Sequence, residues 1–255
     1  MIYILIPVFN EAANLPNLIS ELKVTLPGHD KLVVFSDDGS TDNFYQLLEQ
    51  KAGGLNYKIL GDGQNRGPGA AFNAGFNWIL QHSKSRKDCV ITMEADTTSD
   101  ISLLPKMLAI HELGYEMVLA SVNAQGGEFE GTGFFRKLIS TVANLLFRLL
   151  FNIKALTLSS FYRVYDISLL RRIKNNNKDI ISESGFICKL ELLVKAIREK
   201  ATIIEVPMVL QSNKRKGESK MRVMKTTWQY LLFFIKTKKS GSPEPYALKA
   251  NEEFI

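Results

Sequence analysis

The chain has 255 residues, 45% of them hydrophobic and 23% charged, the balance of a folded protein rather than a disordered one. Its 32 Lys and Arg against 26 Asp and Glu give a formal +6, but residues 1–130 carry 9 basic and 16 acidic side chains (−7) and residues 131–255 carry 23 and 10 (+13). Two cysteines, Cys89 and Cys188, exclude a disulfide framework and read as buried thiols of a reducing cytoplasm, and no stretch approaches the ~20 apolar residues that span a bilayer.

The opening MIYILIPVFNE lacks a basic leader and a small-residue cleavage site, so it reads as a buried strand rather than a signal peptide. Further strands are predicted at 31–36, 57–60, 88–93 and 115–121, with helical patterns between them at 11–26, 41–51, 68–83 and 101–113. Short strands alternating with longer helices predict βαβ units and a parallel sheet, with ligands beyond the carboxyl ends of the strands. After residue 125 the rhythm changes. A Gly-rich loop (124–133), an apolar helix (134–151) and a short strand or loop (157–165) come first. A helix near 186–200, a strand (202–208), a basic loop (213–220) and a last helix (221–238) follow, and 239–255 has the composition of a mobile tail. Without an internal repeat or an independent second core, residues 1–238 read as one domain, its acidic half ending near 125 and its basic half running over 126–238.

The unusual polar residues follow the apolar runs. Asn10 and Glu11, after Pro7, suit either a helix cap or a ligand. In Asp37-Asp38-Gly39-Ser40-Thr41-Asp42, three carboxylates within six residues exceed what capping needs. Such a pair can accept hydrogen bonds from a base or from ribose hydroxyls. The run Arg66-Gly67-Pro68-Gly69 matches neither GxxxxGK[ST] nor GxGxxG and suits phosphate approach or tight packing equally. In Glu94-Ala95-Asp96-Thr97-Thr98, two carboxylates at i and i+2 can face one hard cation such as Mg²⁺ or Mn²⁺, leaving room for phosphate oxygens. The three histidines form no cluster, which argues against zinc. Arg163 and the loop Lys214, Arg215, Lys216, Gly217, Ser219, Lys220 are either a solvated face or the wrapping of an oxyanion. The apolar stretches 134–151 and 228–235, flanked by Arg136, Lys137 and Lys236, suit either the core or the surface of an anionic bilayer.

Taken in order, IPVFNEAANL, FSDDGSTDN, NRGPGAAFNAG, ITMEADTTSD, SSFYRVY, ESGFICKLELLVKA, IIEVPM and KRKGESKM resemble glycosyltransferase family 2, most closely the dolichyl- and polyprenyl-phosphate sugar transferases, over residues 1 to about 225. The resemblance implies an α/β GT-A fold, a mostly parallel sheet flanked by helices, and a GDP- or UDP-sugar donor. It puts Pro7, Asn10, Glu11, Asp37 and Asp38 around the nucleotide, and Arg66, Gly67 and Ala95 near the nucleotide and sugar. Glu94, Asp96 and Thr98 would ligate Mg²⁺ or Mn²⁺, with Glu94 where the family usually has Asp and Thr98 where it often has Gln. Asp96, Arg163 and Lys220 would be catalytic, while Lys214 or the adjacent Arg215, with Ser219, would hold the acceptor phosphate. The implied reaction is inverting transfer to a polyprenyl phosphate by a cytoplasmic protein peripheral to the membrane. A saccharide or other hydroxyl acceptor is the alternative, and it would need a base, for which only Glu183 and Asp166 stand out. A binding protein without turnover is a further alternative. Nucleic acid is not an expected partner, because the aromatic residues of the basic half fall on apolar helices rather than a stacking platform.

Overall fold

The computed structural model describes residues 1–133 and 153–217, with positions 141, 142, 144, 145, 148, 149, 229, 230 and 232–235. Ser219, Lys220, the tail and most of the predicted helices at 134–151 and 221–238 lie outside the described residues. The first half follows the predicted alternation. It runs β1 (Ile2–Val8), α1 (Leu15–Val24), β2 (Lys31–Asp37), α2 (Phe44–Lys51), β3 (Tyr57–Leu60), α3 (Pro68–His82), β4 (Cys89–Thr92), α4 (Leu104–Glu112) and β5 (Met117–Ser121). Beyond it come β6 (Glu128–Glu130), β7 (Arg163–Asp166), α5 (Ile167–Asn176), α6 (Cys188–Arg198), β8 (Ile203–Pro207) and β9 (Val209–Gln211).

Seven strands form the main sheet in the order β3-β2-β1-β4-β7-β5-β8. All pairings are parallel except those of β7, which runs antiparallel to both β4 and β5. β1 pairs along both edges and is buried on both faces, which is why it reads as an unbroken apolar run. Its side chains alternate between two cores. Tyr3 and Leu5 join Phe72, Phe76, Leu170 and Leu193 from α3, α5 and α6, while Ile2, Ile4 and Ile6 join Leu18, Leu48 and Met107 from α1, α2 and α4. The result is a sheet between two helical layers.

Two features of the second half depart from expectation. The stretch read as a Gly-rich loop contains β6, which pairs in parallel with β9 as a separate two-stranded sheet. The helix α5 was not expected. It buries Ile167, Leu169, Leu170 and Ile173 along one face, and the Asp166 carboxylate caps it by accepting the Ser168 N–H at 2.6 Å.

Helix α3 lies hard against β1. A Cβ on Gly75 would sit 2.2 Å from Leu5 Cδ1, inside the core. Gly75→Ala should therefore cost about 1–3 kcal/mol by overpacking, seen as a lower urea midpoint with an unchanged slope.

Candidate active site

The strands β1, β2 and β4 are neighbours and run in one direction, so the segments leaving their carboxyl ends meet. Asn10, just past β1, adopts φ +53°, a left-handed conformation that asparagine tolerates better than most residues. It does not cap α1. Its Oδ1 accepts the N–H groups of Thr41 (2.7 Å) and Asp42 (3.3 Å), and its own N–H donates to Ser40 Oγ at 2.9 Å. Asp37 accepts the N–H and hydroxyl of Ser40 and the Tyr45 hydroxyl at 2.8 Å. Burial, with that bond, pushes the Tyr45 phenol up to about 12. Asp38 accepts the backbone N–H groups of Arg66 (2.7 Å) and Gly67 (2.9 Å). Burial raises the Asp38 pKa, and these two amides work against that rise. Pro7, half-buried, closes the same edge.

The glycines before α3 serve packing. A Cβ on Gly67 (φ +96°) would lie 2.5 Å from the Ser184 carbonyl oxygen, and one on Gly69 would lie 1.9 Å from that of Glu183. The Gly69 N–H donates to Ser184 O at 2.8 Å. Arg66 keeps its backbone at Asp38, but its exposed guanidinium forms a fork on Asp62 at 2.7 and 3.0 Å.

The second cluster lies past β4. Asp96 Oδ1 accepts the N–H (3.1 Å) and hydroxyl (2.7 Å) of Thr98, whereas Oδ2 is held by Nε (2.8 Å) and a terminal nitrogen of Arg215. Glu94 accepts the Ser99 hydroxyl at 2.8 Å and, more loosely, the Phe161 N–H at 3.4 Å. Burial and the neighbouring Asp96 charge raise the Glu94 pKa. Ala95 is buried between the two carboxylates. Arg215 reaches Asp96 because the loop after β9 is tied down. Gln211 N–H donates to Thr98 O at 2.9 Å, and the buried Asn14 side chain brackets the Lys216 backbone at 2.8 and 3.1 Å. Lys214 turns outward to Glu21 at 3.8 Å. Glu11 holds the Asn14 amide from the other side at 2.6 Å.

Arg163 is the main departure. β7 places its backbone opposite Thr92, close to the cluster, but the side chain points into the core and is 1% exposed. Its guanidinium donates to the carbonyls of Lys189 (2.9 Å) and Leu158 (3.2 Å) and to the Tyr165 hydroxyl (3.3 Å). In this geometry it props the strand rather than facing a substrate. The cation that does lie toward the carboxylates is Lys189, which sequence reasoning missed. It is 8% exposed, its ammonium rests 4.2 Å from the centre of the Phe161 ring and 5.5 Å from that of Phe186, and it feels the field of Glu94 first among the acids. A lysine inside the apolar run FICKLELL was the available signal. Asn14, also missed, had none beyond its place in an Asn-rich run.

Two carboxylates facing the cations Lys189 and Arg215 offer hard oxygen donors of the kind that Mg²⁺ or Mn²⁺ takes. Among the described residues no three His, Cys, Asp or Glu gather closely enough to hold a metal by themselves, so other oxygens would have to complete its shell.

The sequence model of glycosyl transferase family 2 matches residues 3–175. The chain is 27% identical over 220 residues to a polyprenol monophosphomannose synthase of Mycolicibacterium smegmatis, covering 86% of this chain and 80% of that protein. It is 27% identical over 231 residues to a dolichol-phosphate mannosyltransferase of Pyrococcus furiosus, covering 89% of this chain and 61% of that one. Glucosyl-3-phosphoglycerate synthase from Mycobacterium tuberculosis, solved with Mn²⁺, UDP and phosphoglyceric acid, superposes with a TM-score of 0.67 at 15% identity, over 96% of this chain and 80% of that one. The chain belongs to glycosyl transferase family 2 and has the GT-A fold of its glycosyltransferase neighbours.

Burial moves the Lys189 ammonium from an ordinary 10.5 down to about 8, against the pull of Glu94. Between those two values the unfolded chain holds the extra proton, so this residue makes stability rise with pH over that window. Below it, the buried charge is a cost. Lys189→Met should flatten the rise in stability between about pH 8 and 10.5, measured as urea midpoints over that range.

Proposed function

We propose that this family 2 glycosyltransferase moves a sugar from a GDP- or UDP-sugar onto the phosphate of a polyprenyl phosphate, inverting the anomeric carbon. The observation that carries the reading is the meeting of the strand-end carboxylate Asp96 with the late basic loop through Arg215. A donor side and an acceptor side converge there. The names of the Mycolicibacterium and Pyrococcus relatives, which specify polyprenol and dolichol phosphate products or substrates, support the same acceptor class.

In this reading Pro7, Asn10, Glu11, Asp37 and Asp38 frame the nucleotide. The Asp38 carboxylate also sets the loop bearing Arg66 and Gly67. Glu94 and Asp96, with Thr98 orienting Asp96, hold Mg²⁺ or Mn²⁺, which when bound supplies Lewis-acid relief of the charge growing on the departing nucleoside diphosphate. Solved neighbours of the same fold that contain Mn²⁺ or Mg²⁺ with UDP are in keeping with this. The bond from C1 to the diphosphate oxygen breaks as an oxygen of the acceptor phosphate bonds to C1 from the opposite face. Lys214, Arg215, Ser219 and Lys220 gather the phosphates, with charge-assisted hydrogen bonds as the holding force. Arg163 enters this scheme as a strand prop.

A phosphate acceptor is already an anion at neutral pH and needs no base, which fits what surrounds the cluster. Asp166 pairs with Cys89 at the start of β4, the far end of the sheet, and is engaged in capping α5. Of the two base candidates for a hydroxyl acceptor, Glu183 has its backbone beside Gly69, before α3. We place the protein peripherally on the cytoplasmic face of the membrane. Val142, Leu145, Leu149, Leu232 and Ile235 are 42–72% exposed and lie in sequence stretches that also carry basic residues, a combination that would suit anionic lipid. Among the described residues no helix is long and apolar enough to cross a membrane.

The deciding assay incubates the protein with Mn²⁺ and a panel of GDP- and UDP-sugars, with and without a polyprenyl phosphate, following nucleoside diphosphate release and glycolipid formation. Glycolipid should form only with the lipid phosphate. Transfer to a saccharide in its place would overturn the acceptor assignment. Asp96→Ala should slow transfer by at least about 10³-fold, the equivalent of several kcal/mol of lost charge stabilisation; rates like wild type would remove the metal from the reading.

A further inference from the structure

The carboxylate cluster is electrically balanced as it stands. Glu94 and Asp96 face two cations, Lys189 and Arg215, and the cations differ in how they are held. Lys189 is 8% exposed and packed under two aromatic rings on α6. Arg215 sits on a loop, its side chain 24% exposed, and spends Nε and a terminal nitrogen on the single oxygen Asp96 Oδ2. The other oxygen, Oδ1, already belongs to Thr98. A metal ion using Oδ2 and the Arg215 guanidinium therefore exclude one another, both by space and by charge. Lys214 cannot play this part, since its ammonium is turned out toward Glu21.

We infer that Arg215 is the resident counter-ion of Asp96, and that it yields Oδ2 to the divalent cation as the donor's diphosphate arrives to take the guanidinium. The inference rests on the proposed nucleotide-sugar chemistry and adds an exchange of cations to it. The backbone on either side of Arg215 is set for the exchange. Asn14 holds Lys216 from below and Thr97 holds the Lys214 carbonyl at 3.4 Å, so the side chain can swing while its loop stays in place. A guanidinium suits the receiving anion because its planar fork matches phosphate oxygens. Metal without nucleotide then has to displace a charge-assisted pair with nothing to accept the displaced arginine. Metal and nucleotide must bind with positive coupling, each raising the affinity for the other by the same factor.

The test measures Mn²⁺ binding by the electron paramagnetic resonance signal of the free ion, on full-length wild type, Arg215→Ala, Arg215→Gln and Lys214→Ala, with no donor sugar and no turnover. Circular dichroism confirms that each variant is folded, and Lys214→Ala is the control for loss of one positive charge from the same loop. Without nucleotide, Arg215→Ala should bind Mn²⁺ at least about tenfold more tightly than wild type, as expected for removing one charge-assisted pair, with Arg215→Gln between them and Lys214→Ala like wild type. Adding UDP or GDP should tighten Mn²⁺ binding by wild type at least about tenfold, and by Arg215→Ala much less. Equal Mn²⁺ affinity of wild type and Arg215→Ala without nucleotide overturns the exchange, while nucleotide-dependent Mn²⁺ binding in the same samples leaves the metal reading standing. Mn²⁺ held by no sample even with nucleotide present brings down the metal reading and the exchange together.

Discussion

A carboxylate withdrawn from water has to be given donors, and at the carboxyl edge of this sheet that requirement organises the neighbourhood. Asp38 is satisfied by backbone amides of the loop before α3, Asp37 by the turn at Ser40 and by Tyr45, and Asp96 by Thr98 and Arg215. Asn10 does the same work with an amide oxygen for the turn at Thr41 and Asp42. The bonds of Asp38 to Arg66 and Gly67, of Asn10 to Thr41 and Asp42, and of Asp96 to Arg215 each join a strand end to a loop elsewhere in the chain, and the last of these ties spans 119 residues. The acids gather the segments from which the site is built.

Much of the fold was legible because burial writes itself into the sequence. Strands closed in on both faces read as apolar runs, and helices lying on one face read as periodic ones. Legibility failed where those signals merge or shrink. Helix α5 follows β7 without a break in apolar character, so FYRVYDISLL offers no visible border except the capping Asp166. β6 and β9 are three residues each and owe their pairing to one another, which no local pattern reports. The site divides in the same way. Its acidic residues stood out as carboxylates at strand ends, where few are expected. The partners of those residues did not, because Arg215, Asn14 and Lys189 arrive from distant segments. The direction of the Arg163 side chain was not legible, because strand alternation decides which way it turns and YRVY alternates two plausible faces. Tyr162 and Val164 lie in one core, Tyr165 in the other, with Arg163 on the side of Tyr165.

The charge asymmetry has a different meaning once burial is known. Arg163, Lys189 and Lys195 all belong to the basic half and are all buried. Lys195 is neutralised by Glu191 at 2.8 Å and also donates to the carbonyls of Asp179 and Ile180, while Arg163 is held by two carbonyls and the Tyr165 hydroxyl. Part of the +13 is therefore structural, and the surface is less basic than the composition implies. Among the described residues, the cations beside the carboxylates are Arg215, from the loop after β9, and the buried Lys189.

The antiparallel strand β7 separates β4 from β5, although both of them precede it in the chain. A ribosome delivers the amino-terminal strands first, so β4 and β5 emerge with a vacancy between them that only residues 163–166 can fill. Until those residues appear, each strand presents a row of unpaired amides and carbonyls, the kind of edge on which foreign strands add. The nascent chain thus spends the synthesis of more than forty residues with its sheet in two pieces. Truncated fragments or chimeras cut near residue 125 would lack β7 and inherit that gap permanently.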